Sequence, residues 1–270
     1  MVPNVKWENE EVLGPDIIKP ANAAMVADEM ATQLIGRLKV FVAALASDSA
    51  AEIAQKFSGQ LKDRYLNDFD HGPRHAADLL EKAVVLAKAI NKSGEIDWDV
   101  LIAAIAIHDI FAYEDIDHGP KAIAFAHDFL KGRMTEEQIS KVEEAIRLHD
   151  VRNEEGRKQR EQAGIESQIL FDVDQWEAFG YKGVYRFIVV YFGRGETLES
   201  IKQKVPGNAY NRWKWLTFLQ TEKMAEGDYK ILDDFFNRFN RIQTTNGAAQ
   251  AAQLIINNSK DHPVTIAQKA

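Results

Sequence analysis

The chain has no cysteine among its 270 residues. That absence excludes a disulfide framework and thiolate chemistry, and it fits a reducing, cytoplasmic setting. Long apolar runs are missing too. The stretch from Val100 to Ile107 is among the longest, far short of the roughly 20 residues of a membrane-spanning helix. Met1 is not followed by a basic segment and an apolar core, so neither a signal peptide nor a membrane partner is expected. Positive charge is in the minority: 33 Lys and Arg stand against 41 Asp and Glu, a formal net charge of -8. That balance argues against a nucleic-acid polymer as partner. Proline is scarce, and three of its seven copies (Pro3, Pro15, Pro20) fall in the first 20 residues.

What is present is ample apolar material, 46% of the chain, in a length that suits one large domain or one and a half. Residues 1 to 20 show little periodicity and read as an arm. A long amphipathic pattern follows (Met25, Met30, Leu34, Leu38, Phe41, Val42, Leu45). Ser47-Asp48-Ser49 breaks it and caps a second helix running to about residue 66. This hairpin, residues 21 to 66, is expected to pack on the core, with homodimer formation as the other role open to it. Thr135-Glu136-Glu137-Gln138 forms a capping box. Residues 152 to 164 read as an exposed loop or a frayed helix. The aromatic stretch Val184 to Phe192 has high β-propensity, but no second strand partners it, and a helix is expected. Thr197 caps a short helix, Pro206-Gly207-Asn208 reads as a turn, and helices are expected over about 209 to 225 and 228 to 240. Residues 241 to 270 read as a peripheral tail.

The chain is organised around Ala103-Ala104-Ile105-Ala106-Ile107-His108-Asp109-Ile110. Asp97 can cap a helix here, and the run reads as a helix buried on every side. It ends in His108 and Asp109, which are costly to bury without compensation. A bound cation would supply it, since imidazole and carboxylate are both good ligands. The alternative is a polar helix end that emerges into water.

Two other segments bear on that choice. Asp70-His71-Gly72-Pro73-Arg74-His75 opens a helix, with Pro73 at its first position. Glu166-Ser167-Gln168-Ile169-Leu170-Phe171-Asp172-Val173-Asp174 and the residues to Gly180 form the third. The order His, His-Asp, distant Asp resembles that of the HD-domain superfamily of metal-dependent phosphohydrolases, from about residue 65 to 239. Within it the pattern is most similar to bacterial HD-type nucleotide pyrophosphohydrolases. Glu166, Ser167, Ile169, Asp172, Asp174 and Gly180 match their E-S-x-I-x-x-D-A-D-x-L-x-x-x-G-like segment, while Val173 and Trp176 replace its Ala and Leu.

The resemblance implies an all-α HD-domain helical bundle (residues 67 to 240) with an N-terminal helical extension. It implies His75, His108, Asp109 and Asp174 as ligands of one divalent metal ion, Mn, Fe, Co or Zn. Asp172 is the alternative to Asp174. Two residues apart on a helix is roughly 200°, so only one of them can face the metal. The implied chemistry is hydrolysis of a phosphate ester or anhydride, with metal-activated water as nucleophile. The implied substrate is a small phosphate compound, a nucleotide above all. Developing charge calls for cations, with Arg74, Lys121, Arg147 and Lys182 as candidates. His71 can orient the leaving group or donate a proton, or simply cap its helix. His118 and His149 stand where some HD proteins carry ligands of a second metal; otherwise His118 caps a helix and His149 contacts substrate. Asp78 is expected on the exposed side of its helix, His127 at the surface, and His262 has no assigned role. Trp213 and Trp215 read as core, and at most one could stack on a base. Two other functions stay open: an HD-type di-iron oxygenase, and a non-catalytic HD ligand-binding module.

Overall fold

The computed structural model describes residues 29–57, 71–112, 118–193 and 195–239. Among them are eleven helices and no strand, so the protein is all-α. They are α1 (Glu29–Leu45), α2 (Asp48–Lys56), α3 (Pro73–Ala89), α4 (Trp98–Ile107), α5 (Gly119–Leu130), α6 (Glu136–Leu148), α7 (Glu154–Gln162), α8 (Ile165–Glu177), α9 (Gly180–Gly193), α10 (Leu198–Lys214) and α11 (Leu219–Phe239). No single helix among them is long and apolar enough to cross a membrane. The expected arm and tail, the far end of the second helix and His262 lie outside the described residues.

The chain divides into two compact units inside α8, between Asp174 and Gln175. In the first unit, α4 is the central element. Every residue from Val100 to Ile107 is buried, and the helix packs against α1, α3 and α6. Its start is fixed by Asp97, whose Oδ1 accepts from the Asp99 and Val100 amides at 3.1 and 3.3 Å. Gln138 donates to Asp97 Oδ2 at 2.9 Å, and the Asp97 amide donates to Glu166 Oε1 at 2.7 Å. Asp97 thus joins the amino ends of α4, α6 and α8. The capping box at Thr135 closes as expected, with Thr135 and Gln138 bonded reciprocally.

In the second unit, α9 and α10 pack on α11 around Val184, Ile188, Ile201, Val205, Leu232 and Phe236. The stretch from Val184 is helical as expected, but α9 begins at Gly180, four residues earlier. Gly180 turns the corner at φ +70°, a conformation that favours glycine. Two expectations are corrected. Pro206 does not mark a turn: α10 runs through it. Ile201, Val205 and Ala209 are buried on one stripe, so packing on both sides of Pro206 offsets the hydrogen bond that proline cannot donate. Nor does a helix break fall near residue 226, since α11 is continuous from Leu219 to Phe239. Residues 154 to 162, left open between loop and helix, form α7, capped by Asn153 through its side chain to the Gly156 amide at 2.8 Å.

Candidate metal centre

Buried α4 delivers His108 and Asp109 at its carboxyl end, where the last helical carbonyls are available as acceptors. His108 Nδ1 lies 2.9 Å from the Ile105 carbonyl. A carbonyl only accepts, so Nδ1 carries the proton and Nε2 faces inward. His149 repeats the device at the end of α6, with Nδ1 2.5 Å from the Ile146 carbonyl. His75 projects from the first turn of α3 and Asp174 from α8.

These residues converge. One ligand atom each from His75, His108, Asp109 and Asp174 lie within 4.8 Å of one another, and all four residues are buried. His108 Nε2 is 3.3 Å from Asp109 Oδ2 and 3.9 Å from Asp174 Oδ1. His75 Nε2 is 3.8 Å from Asp109 Oδ2 and 3.5 Å from Asp174 Oδ1. A second group shares one member: Asp109, His118 and His149 also bring ligand atoms within 4.8 Å. Asp109 turns a different oxygen to it. His118 Nε2 donates to Asp109 Oδ1 at 2.9 Å, and His149 Nε2 lies 3.6 Å from the same oxygen. The imidazoles form a continuous row, His75–His108–His149–His118, with ring centroids 5.1 to 5.5 Å apart.

The electrostatics follow from this crowding. Burial on its own would raise the Asp109 pKa, but His108, His118 and His149 together hold it well below the ordinary carboxylate value. Burial on its own would lower His108, yet the nearby carboxylates of Asp109 and Asp174 keep it above the ordinary imidazole value. The cluster meets a test for a cation. His108 Nε2 is buried and makes no hydrogen bond among the described residues, which a native structure rarely tolerates. Two imidazoles and two carboxylates form a mixed N/O donor set for a divalent ion, without selecting among Mn²⁺, Fe²⁺, Co²⁺ and Zn²⁺.

The other expected residues fall in several places. His71 borders the cluster, its Nε2 3.8 Å from Asp109 Oδ2. Arg74 lies in the first turn of α3 beside His75, and Lys121 in the first turn of α5 behind His118. His118 occupies the cap position of α5 but makes no side-chain cap bond; its ring turns to Asp109 instead. Asp172 is fully buried and lies close enough to the Arg160 guanidinium to favour its charge, outside both groups. Arg147 is exposed and donates to Gln159. Lys182 is engaged in a buried ion pair with Glu177 in the second unit. His127 sits at the surface as expected, 2.9 Å from Glu143. Asp78 does not: it is 8% exposed, because α3 is covered on the side where only solvent was expected. Trp213 is half-buried against Phe179 and Tyr229. Arg160 is fully buried although it sits in the charged run Arg157 to Glu161, which has no apolar period to mark it as buried.

Fold and cluster together define a class: an all-α protein with a buried His/Asp cluster that could hold a divalent metal ion. The fold of this chain is similar to that of YpgQ of Bacillus subtilis. Its selenomethionine-labelled crystal structure matches with a TM-score of 0.51 and 13% identity over 78% of this chain and 96% of that one. The YpgQ crystal structure in complex with ADP matches with a TM-score of 0.51 and 12% identity, over 78% and 95%. At such identity the likeness concerns the fold. No family model and no curated protein matches the chain.

Proposed function

We propose that this protein is an HD-type phosphohydrolase that uses a divalent metal ion to cut a phosphate ester or anhydride of a nucleotide or related small molecule. The observation that carries the reading is the convergence of His75, His108, Asp109 and Asp174 on one buried point. The ADP bound by YpgQ supports a nucleotide as substrate class. Held by these four residues, a divalent ion would supply Lewis-acid activation of water and of a phosphoryl oxygen. The chain's own residues do the rest. His108 and His149, fixed through Nδ1 to backbone carbonyls, keep their inward nitrogens in place. His71, at the rim beside Asp109, donates a proton to the leaving oxygen. Arg74 and Lys121 balance the charge of the substrate phosphates in an acidic protein. The buried walls limit access of bulk water.

A second reading draws on the shared carboxylate. Asp109 belongs to both groups, and its two oxygens face different imidazoles, so the two groups together would hold two cations. Two ions serve a two-metal phosphohydrolase equally with a di-iron oxygenase. Product analysis on a nucleotide panel with added Mn²⁺, against His108→Ala as control, separates them. Pyrophosphate or orthophosphate release that the control lacks supports the hydrolase. Release from no nucleotide, with O₂ uptake by the iron-loaded protein, turns the assignment to the oxygenase.

A further inference from the structure

Among the described residues Arg160 is the largest of the fully buried side chains, with 0% exposure, although it lies in the charged helix α7. Burying a guanidinium is costly unless hydrogen bonds and carboxylates compensate, so its surroundings are informative. Its Nη1 donates to the Val151 carbonyl at 2.6 Å. Its guanidinium carbon stacks 3.3 Å from the centre of the Phe171 ring on α8. Burial pushes its pKa down to about 10, and Asp172, also fully buried on α8, works against that shift. Val151 is two residues beyond His149, and Asp172 two residues before Asp174. One turn earlier on the same helix, Gly156 lies against the same residue: a Cβ there would meet Val151 Cγ1 at 2.5 Å and the carbonyl oxygen at 2.6 Å. The backbone after His149 is therefore held against α7 at two successive turns, and through Arg160 the hold is anchored on the helix that carries Asp174.

We propose that Arg160 is a positioning residue of the candidate metal centre: it locks the Val151 carbonyl against the Phe171–Asp172 side of α8, and so sets the gap between His149 and Asp174. The inference rests on the reading of the cluster as a cation site. Arg160 acts on His149 through the backbone at Val151 and on Asp174 through α8. A lysine retains the charge but not the planar fork that stacks on Phe171 while bonding the carbonyl.

The test uses the full chain, with Arg160→Lys, Arg160→Met and Gly156→Ala. Gly156→Ala crowds the same carbonyl and leaves the Arg160 side chain in place, so it decides the matter if the arginine variants fail to fold. In the metal-free protein, the His149 imidazole ¹H–¹³C cross-peak, assigned with His149→Ala, is expected to shift in Arg160→Lys and Gly156→Ala while that of His75 stays. Mn²⁺ affinity, read by the free-ion paramagnetic resonance signal, is expected to fall about 10–100-fold, as for other residues that orient ligands from behind. An unmoved His149 cross-peak in both variants overturns the proposal, and so does a shift with unchanged Mn²⁺ affinity. Absence of Mn²⁺ binding by the unaltered protein would instead defeat the cation reading, while the cross-peak still judges the clamp.

Discussion

Asp109 is the residue on which both groups depend. Asp109→Asn keeps the shape but removes the carboxylate charge that His108, His118 and His149 surround. Mn²⁺ affinity should fall by more than the roughly 10–100-fold typical of residues that merely support a ligand, measured by equilibrium dialysis. Unchanged binding would remove Asp109 from any ligand set. The shifts of His108 and Asp109 also give stability a pH dependence of known sign. The folded pKa of His108 lies above its unfolded value. Its contribution is complete below about pH 6.5, the ordinary imidazole value, and is lost as pH rises through the folded pKa. The folded pKa of Asp109 is depressed, so its contribution is present above the ordinary carboxylate range and lost in strong acid. Metal-free protein should therefore melt at progressively lower temperature as pH is raised above about 6.5, whereas cation binding, which needs neutral imidazole, strengthens over the same window. The gap between metal-free and Mn²⁺-loaded melting temperatures should widen with pH; a constant gap would contradict the assignment.

At the scale of elements, Asp97 joins three helix beginnings. Asp97→Ala removes the α4 cap and the acceptor for Gln138, and should cost about 1–3 kcal/mol by denaturant unfolding. In the second unit, a Cβ on Gly183 would sit 2.0 Å from the Ala178 carbonyl oxygen. Gly183→Ala should destabilise by about 1–3 kcal/mol or more. Gly207→Ala is the contrast: nothing lies within 4 Å, and an exposed glycine inside a helix gains about 0.5–1 kcal/mol on replacement. If the two variants behave alike, the close approach at Gly183 is not as described. These elements also mark what was legible in the chain. The capped, wholly apolar α4 and the capping box of α6 were readable because local chemistry settles them. The passage of α10 through Pro206 was not, since the burial that offsets proline comes from α9 and α11. The gathering of His75, His108, Asp109 and Asp174 was visible through the family resemblance alone, as no spacing rule links residues on three helices. Arg160 left no trace, because its burial depends on Phe171 and on the backbone at Val151.

For the molecule as a whole, a cation held only by the folded state stabilises it by mass action. Free Mn²⁺ at about 100 times its dissociation constant should add about 2.7 kcal/mol, a rise of roughly 5–10 °C in melting temperature that a chelator reverses. No response to Mn²⁺, Fe²⁺, Co²⁺ or Zn²⁺ would leave the cluster without its cation. The first unit ends at Asp174, and that last residue is the fourth member of the primary group. The consequence concerns biosynthesis. A ribosome adding about 5–20 residues per second makes Asp174 some 3–13 s after Asp109. During that interval the nascent chain holds two imidazoles and a single carboxylate of the set, a far weaker trap for ions. On the cation reading, metal acquisition would wait until α8 is synthesised, and a truncated product that stops short of α8 would lack the fourth ligand.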